Sequence, residues 1–151
     1  MANEFSNLLT AVKESIETLG LTFGGSAVGI SLRKLPRAEE TLDTLPLICV
    51  CPRGPEQVEA FSTEDNVLVK YDVEVVLVAA GNRDLTSTNL ATWLLWREQI
   101  RRLFQFELST ITTILKVDVN PDQPLDRAKL NQNYEYSGLG FRFWSIENRT
   151  N

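Results

Sequence analysis

The stretch that most limits how this chain can fold is VLVKYDVEVVLVAAG, Val67 to Gly81. It opens as an alternating strand. Val69, Tyr71 and Val73 take one face, and Lys70, Asp72 and Glu74 take the other. From Val75 to Val78 it has no polar residue on either side, so both faces of that half must be covered. A strand of about a dozen residues is roughly twice the usual length of five or six. The chain therefore contains a sheet, and this strand belongs to it.

The remaining elements fall around it. Phe5, Leu8, Leu9, Val12, Ile16 and Leu19 recur at three and four residues and predict an amphipathic helix ended by Gly20. LTFGGSA reads as a turn-rich linker, and AVGISLRKL, from Ala27, as a short strand. PRAEETLDTLP is a polar loop. LPLICVCP is a compact apolar strand bounded by Pro46 and Pro52. RGPEQVEAFSTEDN is acidic and turn-like, a loop or a hairpin tip. After GNRDLTST, which offers Asp84, Ser87 or Thr88 as a helix cap, NLATWLLWREQIRRLFQF predicts the second helix. Its stripe is Leu90, Trp93, Leu94, Trp96, Ile100, Leu103 and Phe104.

Leu115, Val117 and Val119 alternate with Lys116 and Asp118 as a further strand, and NPDQPLDRAKLNQN is a long connection. YEYSGLGFRFWSIENR closes the chain as a strand whose phase shifts: Tyr134 and Tyr136 share one parity, Leu139, Phe141 and Phe143 the other. A bulge near Ser137–Gly138 would reconcile them. The expected fold is α+β: a single domain over residues 1–151, with a mostly antiparallel sheet of about four to five strands. Two helices pack on one face, and long loops connect the elements. The second face of the long strand needs its own cover at Val76 and Val78. That cover is either a neighbouring subunit or a loop or terminal strand of the same chain.

The reactive inventory is thin. The chain has no histidine, which removes Ser-His and Cys-His nucleophile pairs and imidazole metal sites. Cys49 and Cys51 lie two apart on one strand face, a poor disulfide geometry and too few ligands for zinc. They read as small buried apolar groups. Asp118, Asp122 and Asp126 lack the glycine and terminal glutamate of a calcium loop. GLTFGG and YSGLGF contain neither a dinucleotide fingerprint nor a P-loop lysine. We expect no enzyme, no catalytic residues, no metal and no cofactor. A net charge of −5 argues against a broadly basic nucleic-acid footprint and against casual binding to anionic membranes. No apolar run reaches the roughly 18 residues of a membrane span, and the N-terminus does not read as a secretory signal.

Arg97 falls inside the apolar stripe of the second helix and Arg101 at its edge. A guanidinium there must snorkel to water or meet a carboxylate. The alternative is an intersubunit contact, since arginine and tryptophan are enriched at interfaces. The interface candidates are thus Arg97, Arg101, Arg102 and Trp96, with Val76 and Val78 on the uncovered sheet face. In a competing view the chain is a small ligand-binding or enzymatic domain with a pocket lined by Trp93, Trp96 and Trp144.

Taken in order, the N-terminal helix, LPLICVCP, VLVKYDVEVVLVAA, LATWLLWREQIRRLF, a short strand and YSGLGFRFWSIENR resemble the tail-terminator proteins of long-tailed bacteriophages. The resemblance covers nearly the whole chain, and related neck components such as head-completion and stopper proteins have similar folds. It implies a structural virion protein: a ring, typically a hexamer, that caps the tail tube, halts its polymerisation and meets the head connector. Its partners would be other copies of itself, the tail tube protein and the connector or stopper protein. Genomic DNA would pass through the lumen without sequence-specific binding. The protein would sit in the virion tail or neck, and in host cytoplasm during assembly. An acidic lumen would let DNA slide by like-charge repulsion, and Glu56, Glu59, Glu64 and Asp65 are its candidate lining.

Overall fold

The computed structural model describes residues 3–33, 46–59, 65–80, 87–106, 114–121 and 134–148. Helix α1 spans Glu4–Glu17. Asn3 caps it, its side-chain oxygen accepting from the Ser6 amide at 2.7 Å, and Leu8, Val12 and Ile16 form its buried stripe. The chain leaves the helix through Gly20, at φ 62°.

Strands β1 (Thr22–Phe23) and β2 (Ser26–Ala27) then pair as a small antiparallel hairpin. The segment expected to be a linker is therefore a hairpin. Its two turn residues, Gly24 and Gly25, both have positive φ, 59° and 83°, as a type I′ turn requires.

Among the described residues the main sheet has six strands: β3 (Gly29–Leu32), β4 (Leu47–Pro52), β5 (Gln57–Val58), β6 (Asn66–Ala80), β7 (Ile114–Pro121) and β8 (Tyr134–Asn148). Its order is β3-β4-β6-β8-β7, with β5 also pairing to β6. The α+β class stands, with slightly more strands than expected. Every pair is antiparallel except β3–β4, which is parallel. A parallel pair of this kind cannot be closed by a tight hairpin turn.

The central pair is β6 with β8. All fifteen residues of each strand are paired in one register, from Asn66 opposite Asn148 to Ala80 opposite Tyr134. No bulge interrupts Ser137–Gly138, contrary to expectation. The phase shift in the sequence is instead a change of buried face. Leu139, Phe141 and Phe143 point into the core under the helices, whereas Tyr136 packs on the opposite face. The bulge lies in β7, where the register slips between Ile114 and Lys116.

Helix α2 (Ser87–Phe106) starts at Ser87, which places Ser87 and Thr88 inside the helix, and Asp84 is outside the described residues. Both helices cover the same face of the sheet: α1 lies against β3 and β4, and α2 against β7, with contact between the helices. The core joins Leu8, Val12 and Ile16 to Trp93, Trp96, Ile100 and Phe104, over Val73, Val75, Leu77, Phe141 and Phe143. Phe104 meets the Phe141 and Phe143 rings at centroid distances of 5.0 and 5.9 Å.

Arg97 ties α2 to this sheet. It is only 8% exposed. Its Nη1 donates to Ser137 Oγ at 2.6 Å and to the Gly138 carbonyl at 2.7 Å. The guanidinium neither snorkels nor offers itself to a neighbouring subunit; it inserts between helix and strand and meets a hydroxyl and a carbonyl. Replacing it with the similarly long but apolar methionine removes both bonds and leaves the buried Ser137 hydroxyl without this donor. We expect Arg97→Met to lower unfolding stability by about 1–3 kcal/mol in urea titrations. Arg97→Glu should cost more, because it buries a carboxylate against a carbonyl. An unchanged midpoint in both variants would refute this role.

Candidate functional site

The face of the sheet away from the helices divides into two halves. The half nearer Leu47 is apolar: Leu47, Cys49, Cys51, Val76, Val78 and Tyr136 form a second buried cluster. Val76 and Val78 are 3% and 0% exposed within a single chain. A neighbouring subunit is therefore not needed to cover them, and they present no surface to one. Cys49 and Cys51 are both free thiols. Burial, and next the nearby Cys49, push the Cys51 thiol up to about 12, so it stays protonated and poorly nucleophilic at neutral pH.

The other half carries charge in rows across the strands. Asp118, Arg142 and Asp72 stand side by side on β7, β8 and β6, and the Arg53 amide donates to the Asp72 carbonyl at 2.8 Å. Arg142 grips Asp72 as a fork, Nε to Oδ1 at 2.8 Å and Nη2 to Oδ2 at 3.1 Å. This bond, partly opposed by burial, holds the Asp72 carboxyl below its usual range. The same bond raises the Arg142 guanidinium.

In the next row Trp144 lies between two ammonium groups, with Lys70 and Lys116 each 4.7 Å from a ring centroid. Its Nε1 donates to Asp118 Oδ2 at 3.0 Å. Lys70 also pairs with Glu59. On the other side of the Asp72–Arg142 row, toward Asn120 and Gly140, opens a hollow of about 320 Å³ lined by Arg53, Asp72, Asn120, Gly140, Phe141 and Arg142.

The structure scatters the residues singled out from sequence. Trp96, 4% exposed, belongs to the core under α2, and Arg97 is buried as described, so neither can serve as interface surface. Arg101 and Arg102 do lie at the surface of α2. Arg101 donates to Gln105 at 3.0 Å, and Arg102 pairs with Glu98 at 2.7 Å. Of the acidic segment, Glu56 and Asp65 are exposed, Glu59 is engaged by Lys70, and Glu64 lies outside the described residues. Trp93 and Trp96 pack in the core on the helix side, whereas Trp144 stands on the opposite face, so these three tryptophans cannot line one pocket. Among the described residues no group of three or more histidine, cysteine or acidic side chains is placed to hold a metal.

The charged half was not singled out beforehand. Its signal was present in Lys70, Asp72 and Glu74 as the polar parity of the long strand, and in Arg142 and Trp144 as the matching parity of the last one. What was missing was the register that sets Asp72 opposite Arg142 and Lys70 opposite Trp144. Comparison with known proteins finds no matching family model and no match among curated proteins.

The Asp72–Arg142 fork has a pH signature. A carboxyl whose folded-state pKa is depressed contributes stability that is present above its unfolded value, about 3.9. That contribution is lost as pH falls through the lower, folded value. Urea midpoints of the wild-type chain should therefore fall more steeply below about pH 4 than those of Asp72→Asn, which has no carboxyl there to protonate. Parallel curves for the two proteins would show that the fork adds nothing.

Proposed function

We propose that this chain is a structural protein of a long-tailed phage particle, a tail terminator. Copies of it form a ring, typically of six, on the end of the tail tube. The ring stops tube growth and joins the tail to the head connector or stopper protein. The observation that carries this is the order of the elements: α1, the proline-led β4, the long β6, α2, the short β7 and the closing β8 follow the succession that the resemblance rests on. The β6–β8 ladder supports it further. Fifteen residues at about 3.3 Å each make a wall of roughly 50 Å, long enough to flank a channel.

On this reading the contact between copies falls on the outer side of α2. Leu90, Leu94 and Leu95 are 56%, 43% and 52% exposed there, with Arg101 and Arg102 one to two turns further on. An apolar stripe flanked by charge is the kind of surface that a neighbour covers. Glu56 and Asp65 are exposed and would line an acidic lumen, through which genomic DNA passes without base-specific contacts. The protein then resides in the virion neck, and in host cytoplasm while the particle assembles.

The deciding experiment deletes this reading frame from the phage genome and images the lysate by negative stain. Unattached tails of uncontrolled length beside filled heads are expected. Tails of normal length beside heads that leak or fail to join would instead assign the chain to a head-completion or stopper role, and normal infectious particles would end the virion reading. Complementing the deletion with Leu94→Glu, at an exposed site that leaves the fold intact, should fail to restore joined particles. Full rescue would remove the leucine stripe from the contact.

A further inference from the structure

Strand β7 is an edge of the sheet. Among the described residues its one ladder is with β8, and it makes no other backbone hydrogen bond. The ladders show which of its groups face outward. The Asp72 carbonyl accepts from the Arg53 amide, so the backbone groups of Asp72 point away from β8. These directions alternate along a strand, so those of Val73 point to β8, where they meet Phe141. Arg142 then points to β7 and meets Asp118. By the same alternation the N–H and C=O groups of Val117 and Val119 point off the sheet. Such a row is a template for one more strand.

The side chains narrow the choice of that strand. Leu115, Lys116, Val117, Asp118 and Val119 form a segment that is complementary to itself when reversed. Set antiparallel to a second copy about Val117, it places each Lys116 opposite Asp118 of the partner subunit. Leu115 then lies opposite Val119 of the partner subunit. Centring on Lys116 or on Asp118 would instead set like charges face to face, which destabilises a strand pair. Centring on Val119 brings in Pro121, which has no N–H to donate.

These groups are accessible. Leu115 is 56% exposed, and the Lys116 and Asp118 side chains are 58% and 46% exposed. Their contact along the strand is long, 3.7 Å, and Trp144 Nε1 holds the Asp118 carboxylate in place.

We propose that two copies of this chain pair β7 to β7 across a two-fold axis at Val117, joining their sheets into one. At the axis each Val117 N–H donates to the Val117 carbonyl of the partner subunit. The contact uses the same patch twice, so it closes at two copies. The bulge between Ile114 and Lys116 at one end, and Pro121 at the other, confine it to a short segment. It goes beyond the ring reading. Lys116 and Asp118 stand on the sheet face opposite α2, away from the leucine stripe, so a ring through that stripe would survive their exchange.

Sedimentation of the full-length chain over a range of concentrations tests the pairing. We expect a reversible monomer–dimer equilibrium, with the Val117 amide gaining protection from hydrogen exchange as the dimer forms. Asp118→Lys sets lysine against lysine twice across the axis, and Lys116→Asp sets carboxylate against carboxylate twice. Each should weaken association about tenfold or more. The double exchange, Lys116→Asp with Asp118→Lys, should restore it, because only the register about Val117 pairs opposite charges again. The two single variants, mixed, should also associate with each other. A chain that stays monomeric at every concentration would overturn the proposal. So would association equally strong in the wild-type chain and both single variants, or a Val117 amide that exchanges equally in monomer and dimer.

Discussion

The rest of this structure depends on the pairing of β6 with β8. Both strands are fifteen residues long and lie in one uninterrupted register. Since side chains alternate with a period of two, that register decides the face of thirty residues at once. It sets Val73 beside Phe141 and Tyr71 beside Phe143 under the helices. It sets Val78 beside Tyr136 in the second cluster, and Asp72 beside Arg142 in the charged half. A slip of one residue would turn Phe141 and Phe143 out of the core and bring Arg142 into it.

The helices serve this pair. Leu8, Val12 and Ile16 from α1, and Trp93, Trp96, Ile100 and Phe104 from α2, close the first face. Burial of large aliphatic and aromatic side chains is worth about 1.5–3 kcal/mol each, so this layer supplies most of the driving force. Polar pins add specificity: Arg97 sets α2 on Ser137 and Gly138, and Tyr71, packed on Phe5 at 4.9 Å, donates to Glu147. Burial, and next the Glu147 hydrogen bond, raise the Tyr71 phenol above its usual range, so it remains a donor at any physiological pH.

Much of this was legible in the residues. Periodicity located both helices and the strands at Leu47, Val67, Leu115 and Tyr134, because amphipathic patterns follow from which face is buried. The Gly24–Gly25 hairpin was overlooked because two-residue strands carry no usable period. The parity change at Ser137–Gly138 was visible but misattributed. A bulge and a switch of buried face leave the same trace in one strand, and only the partner strand distinguishes them. The wheel placed Arg97 correctly on the buried side of α2 but could not show that a hydroxyl and a carbonyl would meet it. The charged half needed pairings across 26 to 70 residues of chain, which no local pattern encodes.

The β6–β8 ladder also governs when this protein can exist as a folded object. Its two strands are separated by a helix and a further strand, so the sheet closes only by a long-range encounter, an intrinsically slow kind of contact. On the ribosome, β6 emerges before its partner β8, with one edge open. Until Tyr134–Asn148 arrives, Leu139, Phe141 and Phe143 are missing from the core, and the Arg97 guanidinium lacks Ser137 and Gly138. Synthesis thus acts as a checkpoint. A chain interrupted before Tyr134 has half of the central ladder and no finished sheet.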